Sequence, residues 1–169
     1  MPKLNIGCGE DMWGDARIDR VKTKATTLIC DLEKGIPFLD NYFDEIKMQN
    51  ILEHVKNMGN LVDECYRVLK KGGKLWGRTD YAGWLPLYIM PTKEHNKNLS
   101  YINKWTKGQE EDKHYHLFVK SHLILLFNGF SNVKVSFWDM KRKEKWKRFL
   151  LKLLPFHMGI QHLDFEVEK

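Results

Sequence analysis

The chain has 169 residues, the length of one domain, and its 43% hydrophobic and 30% charged content suits a globular protein with its own core. No run approaches the roughly 18–20 apolar residues of a membrane-spanning helix, and the start Met1-Pro2-Lys3-Leu4-Asn5-Ile6 lacks a charged-then-apolar leader, so no secretory signal is expected. The net charge of +6 is local: Lys141–Lys152 holds seven basic residues against the single acid Glu144, which leaves the rest neutral overall and describes one surface rather than the fold.

Lys3–Ile6 reads as a short apolar strand running into Gly7-Cys8-Gly9. Ala16-Arg17-Ile18 predicts a second strand ending at Asp19, Thr26–Cys30 a third ending at Asp31, and Phe43–Met48 a fourth ending near Gln49-Asn50. Leu61, Val62, Cys65, Val68 and Leu69 recur at helical spacing, with Lys70 and Lys71 at the C-terminal end and Gly72-Gly73 as the stop. Lys74–Thr79 predicts a fifth strand ending at Asp80. Residues 81–116 form a long stretch rich in aromatics, Asn and Lys, of a length that compact domains reserve for working loops. A helix over Ser121–Phe127 is stopped by Asn128-Gly129, and Val133–Trp138 predicts a sixth strand. The basic segment 141–154 reads as a helix ended by Pro155, and the alternation Leu163, Phe165, Val167 against Asp164 and Glu166 suits a final, half-exposed antiparallel strand. Strands alternating with helices predict an α/β sheet. Cys8, Cys30 and Cys65 each sit in an apolar run without metal-type spacing, which predicts buried free thiols and a cytoplasmic setting.

The chemistry lies in a series of strand ends. Gly7 and Gly9 allow a sharp turn and a close backbone approach to a ligand, although Met12 stands where a dinucleotide fingerprint has its third glycine. Asp19 ends the second strand, where an acid can hold the two hydroxyls of a ribose. Asp31-Leu32 pairs an acid with an apolar side chain, which suits the amino edge and the face of an adenine. Asn50-Ile51-Leu52-Glu53-His54 follows the fourth strand at the same sheet edge, so all four elements converge on one crevice.

Leu4-Asn5-Ile6-Gly7-Cys8-Gly9, Arg17-Ile18-Asp19, Asp31-Leu32 with Ile36-Pro37-Phe38, Tyr42–Ile46, Asn50–Val55 and Glu64–Gly73, in this order and spacing, resemble class I S-adenosylmethionine-dependent methyltransferases, in particular the broad type 11 group of small-molecule enzymes. The resemblance spans residues 4–76, with an echo at His114–Phe118 and Leu126–Phe130. It implies one Rossmann-like α/β domain over 1–169, with a seven-stranded, mostly parallel sheet whose last strand is antiparallel. Residues 1–80 would be the cofactor half, 81–116 a lid or acceptor loop, and 117–169 the remainder of the sheet with the basic helix 141–154. The implied cofactor is S-adenosylmethionine, with S-adenosylhomocysteine as product. Asn5, Ile6, Gly7, Cys8 and Gly9 would form the loop beneath its methionine part, Asp19 and Arg20 would meet the ribose, Asp31 and Leu32 the adenine, and Asn50, Ile51 and Leu52 would line the wall near the sulfonium. Two departures stand out. Nine residues between Gly9 and Asp19 leave no room for a full helix of about 11–12 residues, which predicts a shortened first crossover with Met12 or Trp13 capping the methionine end. Asn5 also occupies a position where the family commonly has an acid.

Methyl transfer from a sulfonium needs mainly alignment and exclusion of water. A base helps a hydroxyl acceptor, and His54 is the first candidate, with His116 and His114 behind it; each competes with a packing or surface role. His114, His116 and His122 have no Cys or acid completing a ligand set, so no metal is expected. The strand-four end is not Asn-Pro-Pro-Tyr, which argues against an exocyclic-amine DNA methyltransferase, and the resemblance implies a small-molecule acceptor, with nucleic acid not favoured as a partner. Segment 141–154, with Trp146, Phe149 and several leucines, reads either as a core helix with a solvated basic face or as a contact to an anionic membrane surface. Two other readings compete: a non-catalytic methyltransferase-like adaptor, and a nucleotide-dependent dehydrogenase, which Met12 and Leu52-Glu53-His54 disfavour.

Overall fold

In the first strand, β1 (Lys3–Ile6), Leu4 and Ile6 are fully buried while Lys3 and Asn5 point to the opposite side. A computed structural model describes residues 1–83, 114–138 and 162–169. Its sheet continues with β2 (Ala16–Asp19), β3 (Leu28–Ile29), β4 (Phe43–Gln49), β5 (Leu69–Asp80), β6 (Ser131–Phe137) and β7 (His162–Glu168). The order is β3-β2-β1-β4-β5-β7-β6. β1 to β5 are parallel, and β7 runs antiparallel to both neighbours. The expected seven strands, with the last antiparallel, are therefore present.

Two α-helices are described, α1 (Met58–Val68) and α2 (Lys120–Leu126). Asn57 caps α1 by accepting the Asn60 N–H at 3.2 Å, and Leu61, Val62, Cys65 and Val68 form its buried stripe. Each such side chain contributes about 1.5–3 kcal/mol of burial for a Val or Leu. Leu123 and Phe127 bring α2 to the same core, where Phe127 meets Phe165 of β7 at 4.9 Å between ring centroids. Both helices thus cover one face of the sheet.

The other face carries no α-helix among the described residues. It presents a charged lattice instead: Lys3 pairs with Glu45 at 2.8 Å, Glu45 accepts from the Trp76 indole at 2.7 Å, and Arg78 pairs with Asp164 at 2.8 Å. This follows from the short first crossover. Residues 7–15 contain no helix, as the spacing predicts, and Trp13 folds back onto this face, edge-on to Trp76 at 5.5 Å. Trp13 therefore does not cap the crevice, and Met12 is 59% exposed and lines no part of it.

Two expected boundaries shift. The third strand shrinks to Leu28–Ile29, because the Thr26 hydroxyl bonds back to the Val21 carbonyl at 3.1 Å and holds its segment in a loop. Gly72-Gly73 does not stop the helix; α1 ends at Val68, and fully buried Leu69 already pairs with Phe43 in β5. The ladder then skips to Lys74 opposite Glu45, so residues 70–73 form a bulge in which Gly72 takes φ +74° and Lys70 reaches Asp44 at 2.8 Å. All three cysteines are buried and free, as expected. No helix among the described residues is long and apolar enough to cross a membrane. Segment 141–154 and most of the expected lid, residues 84–113, lie outside the described residues.

Candidate active site

Parallel strands deliver their C-terminal ends to one edge, and this brings Gly7, Asp19, Asp31 and Asn50 together. Gly7 and Gly9 take φ +64° and +53°, in the left-handed region that favours glycine. The N–H groups of Gly7 and Cys8 both donate to the Ile18 carbonyl, at 2.9 and 3.1 Å, pinning the loop to β2. A Cβ on Gly7 would lie 1.8 Å from Cδ1 of Ile51, so the loop and the residue after β4 are in direct contact. Gly7→Ala is expected to cost about 1–2 kcal/mol from the left-handed backbone alone, plus displacement of Ile51, as read by urea denaturation. Unchanged stability would show that the loop rearranges freely.

Asp19 is 6% exposed, and its carboxylate accepts the Gly9 N–H at 2.8 Å and the Val21 N–H at 3.0 Å. It therefore fastens the glycine loop as well as lining the crevice beside Arg20, Asp31 and Leu32. Asp31 caps the 3₁₀ turn Leu32–Lys34 by accepting the Glu33 N–H at 3.1 Å. Asn50 adopts φ +53° and donates its N–H to the Arg78 carbonyl at 2.8 Å, which turns the chain out of β4. Ile51 lines the crevice, whereas Leu52 is fully buried in the core and lines neither half. Cys8 turns its thiol away, toward Thr26, and burial pushes that thiol's pKa up. Asn5 is buried, with its amide 3.5 Å from the Asp11 carbonyl, and Ile6 is part of the core.

The second half of the crevice, about 500 Å³, shares Gly7, Asn50, Ile51 and His54 with the first and extends to Glu53, Asp80, His114 and His162. Three chain segments meet there. The backbone of the 3₁₀ turn Leu52–His54 receives the 114–118 segment, since the Glu53 carbonyl accepts the Tyr115 N–H at 2.7 Å. Antiparallel pairing places His162 of β7 opposite Asp80 of β5. His114 lies edge-on to His54, with centroids 4.5 Å apart.

Asp80, 4% exposed, stands between two imidazoles: its oxygens lie 2.9 Å from Nδ1 of His162 and 3.3 Å from Nδ1 of His114. The 2.9 Å approach of His162 Nδ1 to Asp80 is not an aligned hydrogen bond. Glu53, 1% exposed, accepts the Thr79 hydroxyl at 2.7 Å. Burial, reinforced by the neighbouring charge of Asp80, raises its carboxyl to a pKa of about 7.

Of the candidate bases, the structure brings His54 and His114 to the crevice. It places His116 outside, with Nε2 3.1 Å from the Lys56 carbonyl. His162 and Asp80 were missed, and the available signal was the polar residue opening an antiparallel final strand. No group of three metal-ligating side chains is found among the described residues.

The family model described as a methyltransferase domain matches residues 9–77. No curated protein matches the chain significantly in sequence. Among solved structures, an S-adenosylmethionine-dependent methyltransferase from Archaeoglobus fulgidus aligns with TM-score 0.64 and 17% identity over 99% of this chain and 85% of its own. One from Mesorhizobium loti aligns with TM-score 0.65 and 12% identity over 99% and 90%. A phosphoethanolamine N-methyltransferase from Haemonchus contortus, in complex with phosphomonomethylethanolamine and S-adenosylhomocysteine, aligns with TM-score 0.60 and 17% identity over 99% of this chain and 48% of its own. At these identities the likeness is one of fold. With its sheet order and its strand-end crevice, the chain has the fold of the class I S-adenosylmethionine-dependent methyltransferases, and its residues 9–77 match the model of a methyltransferase domain.

Proposed function

We propose that the chain binds S-adenosylmethionine along this crevice and transfers its methyl group to a small-molecule acceptor held near the ends of β5 and β7. The observation that carries the reading is the crevice at the C-terminal ends of the parallel strands, where the glycine loop, Asp19, Asp31 and Asn50 line one continuous space. The residues fit the cofactor in two further respects. Each oxygen of Asp19 accepts only one N–H, and a carboxylate offers about four lone-pair sites, so capacity remains for a ribose diol. Leu32 supplies an apolar surface beside the Asp31 carboxylate for an adenine.

When bound, S-adenosylmethionine supplies a methyl group on a positively charged sulfur, which keeps the electron pair of the breaking S–CH₃ bond. The chain's own residues align the partners and exclude water. Gly7, Gly9 and Asp19 form one hydrogen-bonded unit, so the loop and the ribose contact are preorganised together.

Calorimetric titration with S-adenosylmethionine and S-adenosylhomocysteine tests this. The wild-type protein is expected to bind both. Asp19→Asn, which turns one acceptor oxygen into a donor facing a backbone N–H, is expected to weaken binding about 10–100-fold, the value of one or two charged hydrogen bonds. Folded wild-type protein that binds neither ligand would overturn the reading and leave a non-catalytic adaptor.

A further inference from the structure

We infer that His162, held by Asp80, is the base that takes the proton of a hydroxyl acceptor, so that the transfer is an O-methylation. The inference rests on the methyltransferase reading above and adds the substrate class. Three observations lead to it.

The first is placement. His162 opens β7 directly opposite Asp80 at the end of β5, and both line the larger half of the crevice, continuous with the glycine loop through Asn50 and Ile51. The second is polarity. Asp80 faces Nδ1, not Nε2, of both His162 and His114. A carboxylate at Nδ1 favours the tautomer with the proton there and leaves Nε2 with a free lone pair. The contact is misaligned as it stands, and such contacts commonly tighten only when the site is filled.

The third is the state of the crevice carboxylates. An ammonium-bearing acceptor would need a carboxylate free to receive it. At the β5–β7 end Asp80 is taken by the two imidazoles and Glu53 is buried against Thr79 with a carboxyl whose charge its surroundings disfavour; the other carboxylates of this half lie at the glycine loop after β1, where Asp11 is taken by Lys47 and Glu10 is exposed. A neutral hydroxyl fits this environment and carries one proton that must leave. As the acceptor oxygen forms its bond to the methyl carbon, its O–H bond breaks and the proton moves to Nε2 of His162. The imidazolium so formed is stabilised by the Asp80 carboxylate. Asp80 is a positioning residue and His162 the group that meets the acceptor.

Nitrogen-15 NMR of histidine-labelled protein bound to S-adenosylhomocysteine tests this, at a pH near 8 where a free imidazole is neutral. His162→Gln assigns the resonance. The expected result is a proton on Nδ1 and an unprotonated Nε2, lost in Asp80→Asn. Phenol added to the complex is expected to shift the Nε2 signal, and benzylamine is not. A proton on Nε2 in the wild-type protein, an unchanged Asp80→Asn spectrum, no response to phenol, or a response to benzylamine alone would each overturn the inference. If wild-type protein fails to bind S-adenosylhomocysteine, the methyltransferase reading fails; protein that binds it but carries the proton on Nε2 fails the base assignment alone, so the two failures are distinguishable.

Discussion

Gly77→Ala is expected to destabilise the protein by about 3 kcal/mol or more, well above the ordinary cost of a surface change. A Cβ at this position would lie 1.7 Å from the Met48 carbonyl oxygen, 2.7 Å from its carbon and 2.8 Å from Cζ of Phe165. The Phe165 ring can turn aside, but the Met48 backbone cannot, because Met48 is paired with Ile6 on its other side. The extra carbon must therefore part β4 from β5 in the centre of the sheet. Both strands end in the crevice, and the next link between them is the Asn50 N–H to the Arg78 carbonyl at 2.8 Å. Opening the ladder shifts Asn50 and Asp80 together, so ligand binding is expected to fall with stability. Thermal unfolding should show a Tm lower by roughly 6–12 °C for a domain of this size. Gly129→Ala is the control: nothing lies within 4 Å of its added Cβ, and its stability should change by less than about 0.5 kcal/mol. A Gly77→Ala protein as stable as that control would refute the steric argument.

How far the site was legible in the sequence depends on the strand that carries each part. Gly7, Asp19, Asp31 and Asn50 all end or follow parallel strands, and parallel order sends those ends to one edge whatever the register. A sequence reading can therefore assemble them without knowing a single contact. His162 and Asp80 meet through antiparallel pairing between strands far apart in the chain, and a register is not written in local periodicity. His116 and His114 are two residues apart, yet one lines the crevice and the other turns to the Lys56 carbonyl. That choice is made by the backbone bonds of Tyr115 and His116 to Glu53, which no spacing rule reveals.

The face on which the described residues place no helix has a similar explanation. Glu45, Lys47 and Gln49 alternate with Ile46 and Met48 along β4, as Lys74, Trp76 and Arg78 alternate with Leu75 and Gly77 along β5. Such alternation marks a half-covered sheet, whereas the strands of a parallel sheet are expected to be covered on both faces. The shortness of the segment between Gly9 and Asp19 was the better guide. Among the described residues no helix covers that face, and the sheet there carries ion pairs and two tryptophans. The bulge at residues 70–73 went unread because paired glycines after a helix look like a helix stop, and only buried Leu69 shows that the strand has already begun.

The pH dependence of stability should carry the signature of one buried acid. Glu53 is 1% exposed, and burial together with the charge of Asp80 raises its carboxyl from 4.5 to about 7. The folded chain therefore holds a proton that the unfolded chain has released between these two values. The stabilisation from that proton is complete below pH 4.5 and is lost as pH rises through 7. At about 1.4 kcal/mol per pH unit, its loss is worth about 3 kcal/mol. Glu53→Gln mimics the protonated acid: its amide oxygen can accept the Thr79 hydroxyl, and its NH₂ replaces the acid's O–H as a donor. Urea denaturation at pH 5 and pH 8 should find the two proteins similar at the lower value. At pH 8 the Gln variant should be more stable by about 3 kcal/mol, since every other titrating group is common to both. Parallel pH dependence in the two proteins would mean that Glu53 is ionised throughout, with water or a shift of the 52–54 turn supporting its charge. The Asp80 carboxylate would then face a second negative charge across the turn.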